Sequence, residues 1–208
     1  MKPPNTLTDS ELLQYAEQHL LYEIDMLISS AGILAHLAGH KTDGYLAWAM
    51  NNGLLNSFAL HARNLINFLY SRSTGSEYAT DVVLEDYVGD QVAASNRPQI
   101  TPLLEQALTK ANKQAAHLSL DRIQYERAGK GWQFIELSKQ ILAVFRAIAP
   151  HIPESRMSEP LRQRLAQADF RIPVMDISIG RSPAGAPIPV NFLLRISRDG
   201  KSIEGISA

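Results

Sequence analysis

The sequence predicts a mainly α-helical protein, with a bundle of four long helices and a small C-terminal α/β extension. Three observations support this fold class. Apolar residues recur with a period of 3.6 over long stretches. Helix start and stop signals flank these stretches, and strand-like segments occur only beyond Pro153. We therefore expect a helical bundle over residues 1–153 and an extension over residues 154–208.

The first helix is predicted to begin at Thr8 and to end near Gly39. Thr8 and Glu11 have the spacing of a capping box, in which each side chain bonds the backbone N–H of the other residue. Glycine is a common stop at a helix C-terminus. A helix of about 28 residues would extend ~42 Å, which suits an elongated bundle. The apolar positions at helical spacing are Leu12, Leu13, Ala16, Leu20, Ile24, Leu27, Ile28, Ala31, Leu34 and Ala35.

The second helix is predicted to start at Thr42 or Asp43 and to run from Tyr45 to about Ser71. Residues 51–53, Asn-Asn-Gly, are poor helix formers, so a kink or a broken start is expected there. The following residues up to Asn96 are rich in Ser, Thr, Gly and carboxylates. This composition predicts a long surface loop that contains, at most, a short helical turn.

The third helix has a clear start, because Thr101 is a good N-cap and Pro102 suits the first helical position. A fourth helix is predicted over residues 132–149 and is ended by Pro150 and Pro153. In the extension, residues 158–168 predict a short helix. Residues 172–179 and 190–196 predict a β-hairpin, which would need a partner surface because an isolated hairpin is marginal in water.

Composition limits the classes of function. With 208 residues the chain can form one sizeable core. Its formal net charge of −1 means that any contact with nucleic acid would come from a local patch. The absence of cysteine excludes disulfides, thiolate metal sites and cysteine nucleophiles. The N-terminus lacks the apolar core of a signal peptide, and no uninterrupted apolar run reaches the ~18 residues of a membrane span. We expect a cytoplasmic protein without a membrane partner or a cofactor.

Two segments with helical apolar spacing carry an unusual set of polar residues. Polar groups within apolar segments cost free energy unless they are paired. Two interpretations are open: a solvated face with His61 hydrogen-bonded at its border, or a binding or catalytic site. In the first segment the polar residues are His61, Arg63, Asn64 and Asn67, and in the second they are Asn112, Lys113, His117 and Arg122.

The run Asn112-Lys113-Gln-Ala-Ala-His117 resembles the Arg-Asn-x-x-x-His motif of the HEPN family (higher eukaryote and prokaryote nucleotide-binding domains). Members are small helical bundles, many of them metal-independent ribonucleases. In that family the Arg stabilises phosphate charge, and the His transfers protons during attack by the RNA 2′-hydroxyl. With His117 aligned, Asn112 stands where the family has Arg, and Lys113 where it has Asn.

The resemblance implies an RNA- or nucleotide-binding protein of defence or stress response, and cleavage would need a guanidinium from Arg63 or Arg122. The chain is also similar to uncharacterised bacterial helical proteins that share a His-x-Arg-Asn-Leu stretch, here His61 to Leu65, and a following Asn-Lys-x-x-Ala-His run. The implied catalytic residues are His117, Arg63 and Arg122. The implied binding residues are Asn64, Asn112, Lys113, His61 and Asn67.

The main alternative is a non-catalytic helical interaction protein in which the Arg, Asn and His side chains form a buried hydrogen-bond network. In that case His117 would be tied to Asp121 or to a backbone carbonyl. A metal site formed by His36, His40 and either His61 or His117 is a weaker alternative. We also expect a homodimer, because HEPN-like proteins commonly place two motifs across a dimer interface.

Overall fold

The computed structural model describes residues 7–38, 44–75, 80–113 and 131–167. Within these ranges all regular elements are helices and no strand occurs, which confirms the prediction of a mainly α-helical bundle. All the described residues belong to one compact unit, Met1–Phe170. The predicted hairpin strands, His117 and Arg122 lie outside the described residues.

The first helical run comprises α1 (Asp9–Tyr15), a π-helical turn (Ala16–Leu20) and α2 (Leu21–Ala38). The predicted capping box is present, with the Thr8 N–H donating to Glu11 Oε2 at 2.8 Å. At the π turn the Leu21 N–H donates to the Ala16 carbonyl, five residues back. The long first helix is therefore confirmed, with a local change of winding that the apolar period did not indicate.

Helix α3 (Tyr45–Thr74) is the other long element, with 30 residues. It continues through residues 51–53 as helix, so the predicted broken start does not occur. The Asn52 side chain donates to the Trp48 carbonyl at 2.7 Å within the same helix. Gly75 ends the helix in the left-handed region at φ 72°, where glycine is the favoured residue.

The predicted long surface loop before Asn96 is wrong. Helices α4 (Leu84–Val88) and α5 (Asp90–Asn96) occupy the second half of this region and pack onto the bundle. Tyr87 is buried, and its hydroxyl donates to the Leu12 carbonyl at 2.9 Å. The apolar residues that anchor this segment sit among carboxylates, which hid their helical spacing. They are Val83, Leu84, Tyr87 and Ala93.

Helix α6 (Pro102–Ala111) begins as predicted, because Thr101 Oγ1 accepts from the Leu104 N–H at 3.3 Å. Helix α7 (Phe134–Ile148) starts two residues later than predicted and leads into a 3₁₀ turn at Ala149–His151. Only the α1–α2 run and α3 are long within the described residues, since α6 and α7 have 10 and 15 residues.

Helix α8 (Glu159–Ala166) is the short helix that the sequence assigned to the C-terminal extension. Leu161 and Leu165 are buried in the core of the bundle, so α8 belongs to the same compact unit as the preceding helices. Arg164 Nε also lies 2.7 Å from Asp25 Oδ1 on α2.

Among the described residues, the run Asp9–Ala38 is long and apolar enough to cross a membrane by length and composition. Half of its most apolar window is buried inside the bundle, and core helices of other proteins pass the same test. The run is therefore weak evidence for a membrane span.

Candidate functional site

A cleft of about 430 Å³ lies between the first helical run, α3 and the segment before α4. Its volume falls within the range of small-ligand pockets, roughly 300–1,000 Å³. The polar residues of its wall come from three separate parts of the chain. They are Tyr15, His19, Glu23, Arg63, Asn64, Asn67, Ser71, Thr80 and Asp81.

The π turn forms one wall of this cleft and contributes Tyr15, His19 and Leu20 at or beside the altered winding. π turns within α-helices are frequent at functional sites. The Tyr15 and His19 rings lie 4.8 Å apart, centroid to centroid, and His19 is exposed. Burial raises the pKa of Tyr15, and the nearby Glu23 and Asp81 carboxylates raise it further.

Helix α3 forms the opposite wall. Arg63 and Asn67 are four residues apart and therefore lie on one face of the helix, and both are half-buried. The Arg63 Nε donates to Asn112 Oδ1 at 2.5 Å, which links α3 to the end of α6. This bond holds one edge of the guanidinium while the side chain lines the cleft.

Glu23 joins the cleft to a hydrogen-bond network between α2 and α3. The His61 Nδ1 lies 2.8 Å from Glu23 Oε2, and the Asn64 Nδ2 donates to the same oxygen at 3.2 Å. His61 is only 5% exposed, and the Tyr22 ring packs edge-to-face on it at 5.6 Å. His61 therefore lies behind the cleft wall as a paired, buried histidine.

Among the described residues that line it, the cleft has mixed charge. They include one guanidinium, Arg63, and two carboxylates, Glu23 and Asp81. Salt screens charges in a partly buried site less than it screens exposed charges. The carboxylates in the cleft therefore disfavour a ligand with a high negative charge. A ligand with several adjacent negative charges would meet the carboxylates as well as the arginine.

The structure brings together most of the described residues that the sequence singled out. Arg63, Asn64 and Asn67 line the cleft, Asn112 contacts Arg63, and His61 is paired behind the wall. Lys113 is half-buried next to Asn112.

Sequence reasoning missed the wall on the first helical run. Tyr15, His19 and Glu23 are spaced four residues apart, which places them along one stripe of a helix. This spacing was visible in the sequence. Asp81 gave no such signal because it lies in an irregular segment.

Among the described residues, no group of three or more His, Asp or Glu side chains could hold a metal ion. His40 and His117, two members of the three-histidine alternative, lie outside those residues. No protein-family model, no curated protein and no solved structure matches this chain.

Proposed function

We propose that this chain is a HEPN-like protein that binds RNA or a nucleotide in the cleft, with Arg63 as the phosphate contact. The observation that carries this proposal is the 2.5 Å hydrogen bond from Arg63 Nε to Asn112 Oδ1. Asn112 occupies the motif position at which the HEPN family has arginine. The Arg63 guanidinium thus lies beside the position at which this chain lacks the arginine of the motif. Guanidinium groups match phosphate oxygens in charge and in geometry.

The same residues define the chemistry that the resemblance implies for RNA. Arg63 would stabilise negative charge on the phosphate, and His117 would transfer a proton during attack by the 2′-hydroxyl. No metal ion takes part in this reaction. A chain that binds RNA without cleaving it would be a degenerate relative, and the replacement of the motif arginine by Asn112 favours that form.

The binding test compares the wild-type protein with Arg63→Gln, with a labelled single-stranded RNA as the probe. We expect the substitution to weaken binding about ten- to hundredfold, the loss of one charge-assisted hydrogen-bonded contact. Arg162→Gln is the matched control, because Arg162 is an exposed arginine on α8 paired with Glu159. Equal binding by wild type and Arg63→Gln would contradict the proposal, provided that both proteins melt at similar temperatures.

The cleavage test uses the same RNA with and without a chelator. Cleavage that persists in the chelator and disappears in His117→Ala would support a metal-independent ribonuclease. Cleavage that needs a divalent metal would overturn the HEPN-like mechanism. Binding without cleavage would assign the chain to the degenerate, RNA-binding form.

A second candidate function is a non-catalytic interaction protein, and the Glu23–His61–Asn64 network favours it. His61 and Asn64 both pair with the Glu23 carboxylate between α2 and α3, as expected of a network that fixes helix register. Under this alternative, Glu23→Ala would lower the melting temperature while no RNA or nucleotide binds to the wild-type protein.

We further propose that the protein acts as a homodimer, and the first turns of α3 support this. Tyr45 and Trp48 are 81% and 61% exposed, and Leu46 and Met50 are exposed beside them. No Asp, Glu, Lys or Arg occurs in residues 44–62. An uncharged apolar surface is complementary to its own copy under two-fold symmetry. An interfacial membrane helix, by contrast, usually carries Lys or Arg on its polar face.

A further inference from the structure

We infer that the cleft takes a single unstacked nucleotide with one phosphate, whose base stacks on His19 and whose phosphate meets Arg63. This inference rests on the proposed function and specifies its ligand class as a nucleoside monophosphate or one nucleotide of single-stranded RNA. Three features of the cleft support it: an aromatic platform, an amide for the base edge, and the charge balance.

The aromatic platform is the pair of rings beside the π turn. The His19 imidazole is exposed, and the half-buried Tyr15 ring lies beside it, 4.8 Å away centroid to centroid and tilted by 49°. Any nucleobase has a flat π face, so stacking on such rings binds single-stranded nucleic acid with little dependence on sequence.

The amide is that of Asn67, which lines the cleft one turn beyond Arg63. It is half-buried and forms no side-chain hydrogen bond within the part of the chain that the structure describes. An asparagine amide offers a donor and an acceptor side by side, the arrangement that pairs with two neighbouring atoms on the edge of a base. Asn67 therefore suits recognition of a base edge.

The charge balance sets the number of phosphates. Arg63 carries a single positive charge and can pair with one phosphate group, and the Glu23 carboxylate lines the same cleft. Further phosphates in the cleft would bring additional negative charge close to this carboxylate and be repelled. A monophosphate should therefore bind at least as tightly as the corresponding triphosphate, which is unusual for a site that recognises nucleotides through a basic pocket.

The test follows the histidine C–H signals by NMR during titration with the four nucleoside 5′-monophosphates, with ribose 5-phosphate as the ligand that lacks a base. Stacking places the His19 ring protons over a base, so we expect an upfield shift with at least one monophosphate and none with ribose 5-phosphate. His151, exposed on the 3₁₀ turn after α7, is the internal reference. His19→Ala should weaken monophosphate binding about five- to hundredfold, and His151→Ala should leave it unchanged.

The outcomes separate this inference from the proposed function. If ribose 5-phosphate binds as tightly as every monophosphate and the His19 signals stay in place, while Arg63→Gln still weakens binding, the stacking inference is overturned and the proposed function stands. Tighter binding of a triphosphate than of its monophosphate would also overturn the inference. If neither single-stranded RNA nor any monophosphate binds, both proposals fail.

Discussion

The buried imidazole of His61 on α3 and the carboxylate of Glu23 on α2 lie 2.8 Å apart and join the two longest helical runs of the described chain. The same carboxylate accepts hydrogen bonds from Asn64 and lines the cleft. One residue therefore belongs both to the helix interface and to the candidate binding site. Any ligand contact at Glu23 is coupled to the packing of α2 against α3.

We expect Glu23→Ala to lower the free energy of unfolding by about 1–3 kcal/mol, because His61 and Asn64 would lose their acceptor within a largely buried interface. Urea unfolding followed by circular dichroism measures this change. Glu17→Ala is the matched control, since Glu17 is an exposed glutamate on the π turn. If the two variants agree within about 0.5 kcal/mol, which is the usual range for surface substitutions, the network adds nothing to stability.

A buried ion pair should make Glu85→Ala more costly than most substitutions. Arg97 Nη1 donates to Glu85 Oε1 at 2.7 Å and to the Leu69 carbonyl at 2.6 Å. The side chains of Arg97 and Glu85 are only 9% and 4% exposed. Removal of one partner of a buried pair leaves an uncompensated charge, so we expect a loss of about 3–5 kcal/mol.

The control for Glu85→Ala is Asp90→Ala, which removes an acceptor from Arg72 at a side chain that is 79% exposed. Exposed pairs contribute about 0–1 kcal/mol, so this variant should unfold at nearly the wild-type urea concentration. The double variant Glu85→Leu with Arg97→Met should recover much of the loss, because it removes both charges. A double variant less stable than Glu85→Ala would contradict the assigned role of the pair.

The contact of Asp9 with the segment before α8 should depend on pH. The Ser155 hydroxyl and then Arg156 Nε, which is 2.7 Å away, lower the pKa of Asp9 from its usual 3.8. A carboxyl whose pKa is lower in the folded state stabilises the fold above its unfolded pKa and loses that effect as the pH falls through the folded pKa.

We therefore expect Asp9→Asn to melt at a lower temperature than wild type near pH 7, and the difference to shrink as the pH falls below 3.8, the usual pKa of the carboxyl. Thermal melts across this interval measure the effect. Glu105→Gln, at an exposed position in the first turn of α6, should track wild type throughout. A difference for Asp9→Asn that does not shrink as the pH falls from 7 to below 3.8 would argue against the ion pair as its source.

The proposed homodimer can be tested by its mass and by crosslinking through an introduced cysteine, because the chain has no cysteine of its own. Light scattering at protein concentrations of about tens of micromolar should give twice the monomer mass. A dimer with a standard-size interface stays associated at such concentrations. Trp48→Glu should give the monomer mass, because it places like charges opposite each other across a two-fold interface.

A second measurement locates the interface. Met50→Cys should form an intermolecular disulfide under mild oxidation, whereas Lys139→Cys, at an exposed site on α7, should not. A wild-type monomer at these concentrations would count against the dimer, as would equal crosslinking of the two cysteine variants. Cosedimentation of the wild type and of Trp48→Glu with phospholipid vesicles tests membrane binding by the same turns of α3. A protein that only self-associates should stay in the supernatant.

The sequence could predict the helices that carry explicit end signals. Thr8 with Glu11, Thr101 with Pro102, and Ser158 all cap the helices that they precede, because capping depends on a few local residues. The region before Asn96 could not be predicted in this way. Its two short helices depend on burial of Tyr87 and Ala93 against the bundle, and such tertiary contacts override an acidic local composition.

The candidate site was predictable in part for a related reason. Arg63, Asn64 and Asn67 were noticeable because polar residues are costly in an apolar helix. Glu23 was not, since a glutamate within a long helix is usually exposed. Its role depends on the alignment of α2 with α3, and a helical wheel drawn for one helix carries no information about its neighbour.

The π turn at Ala16–Leu20 holds one residue more than an α turn, because it closes on the carbonyl five residues back. Deletion of one residue within this turn would restore regular α winding and leave Leu12 and Tyr15 on the same faces relative to Ile24. A deletion within the regular helix Leu21–Ala38 removes no such extra residue, and it would rotate the preceding part of the helix by about 100° relative to the following part. The π turn is thus the place in this helix where the chain can lose one residue without turning the buried Leu12 out of the core.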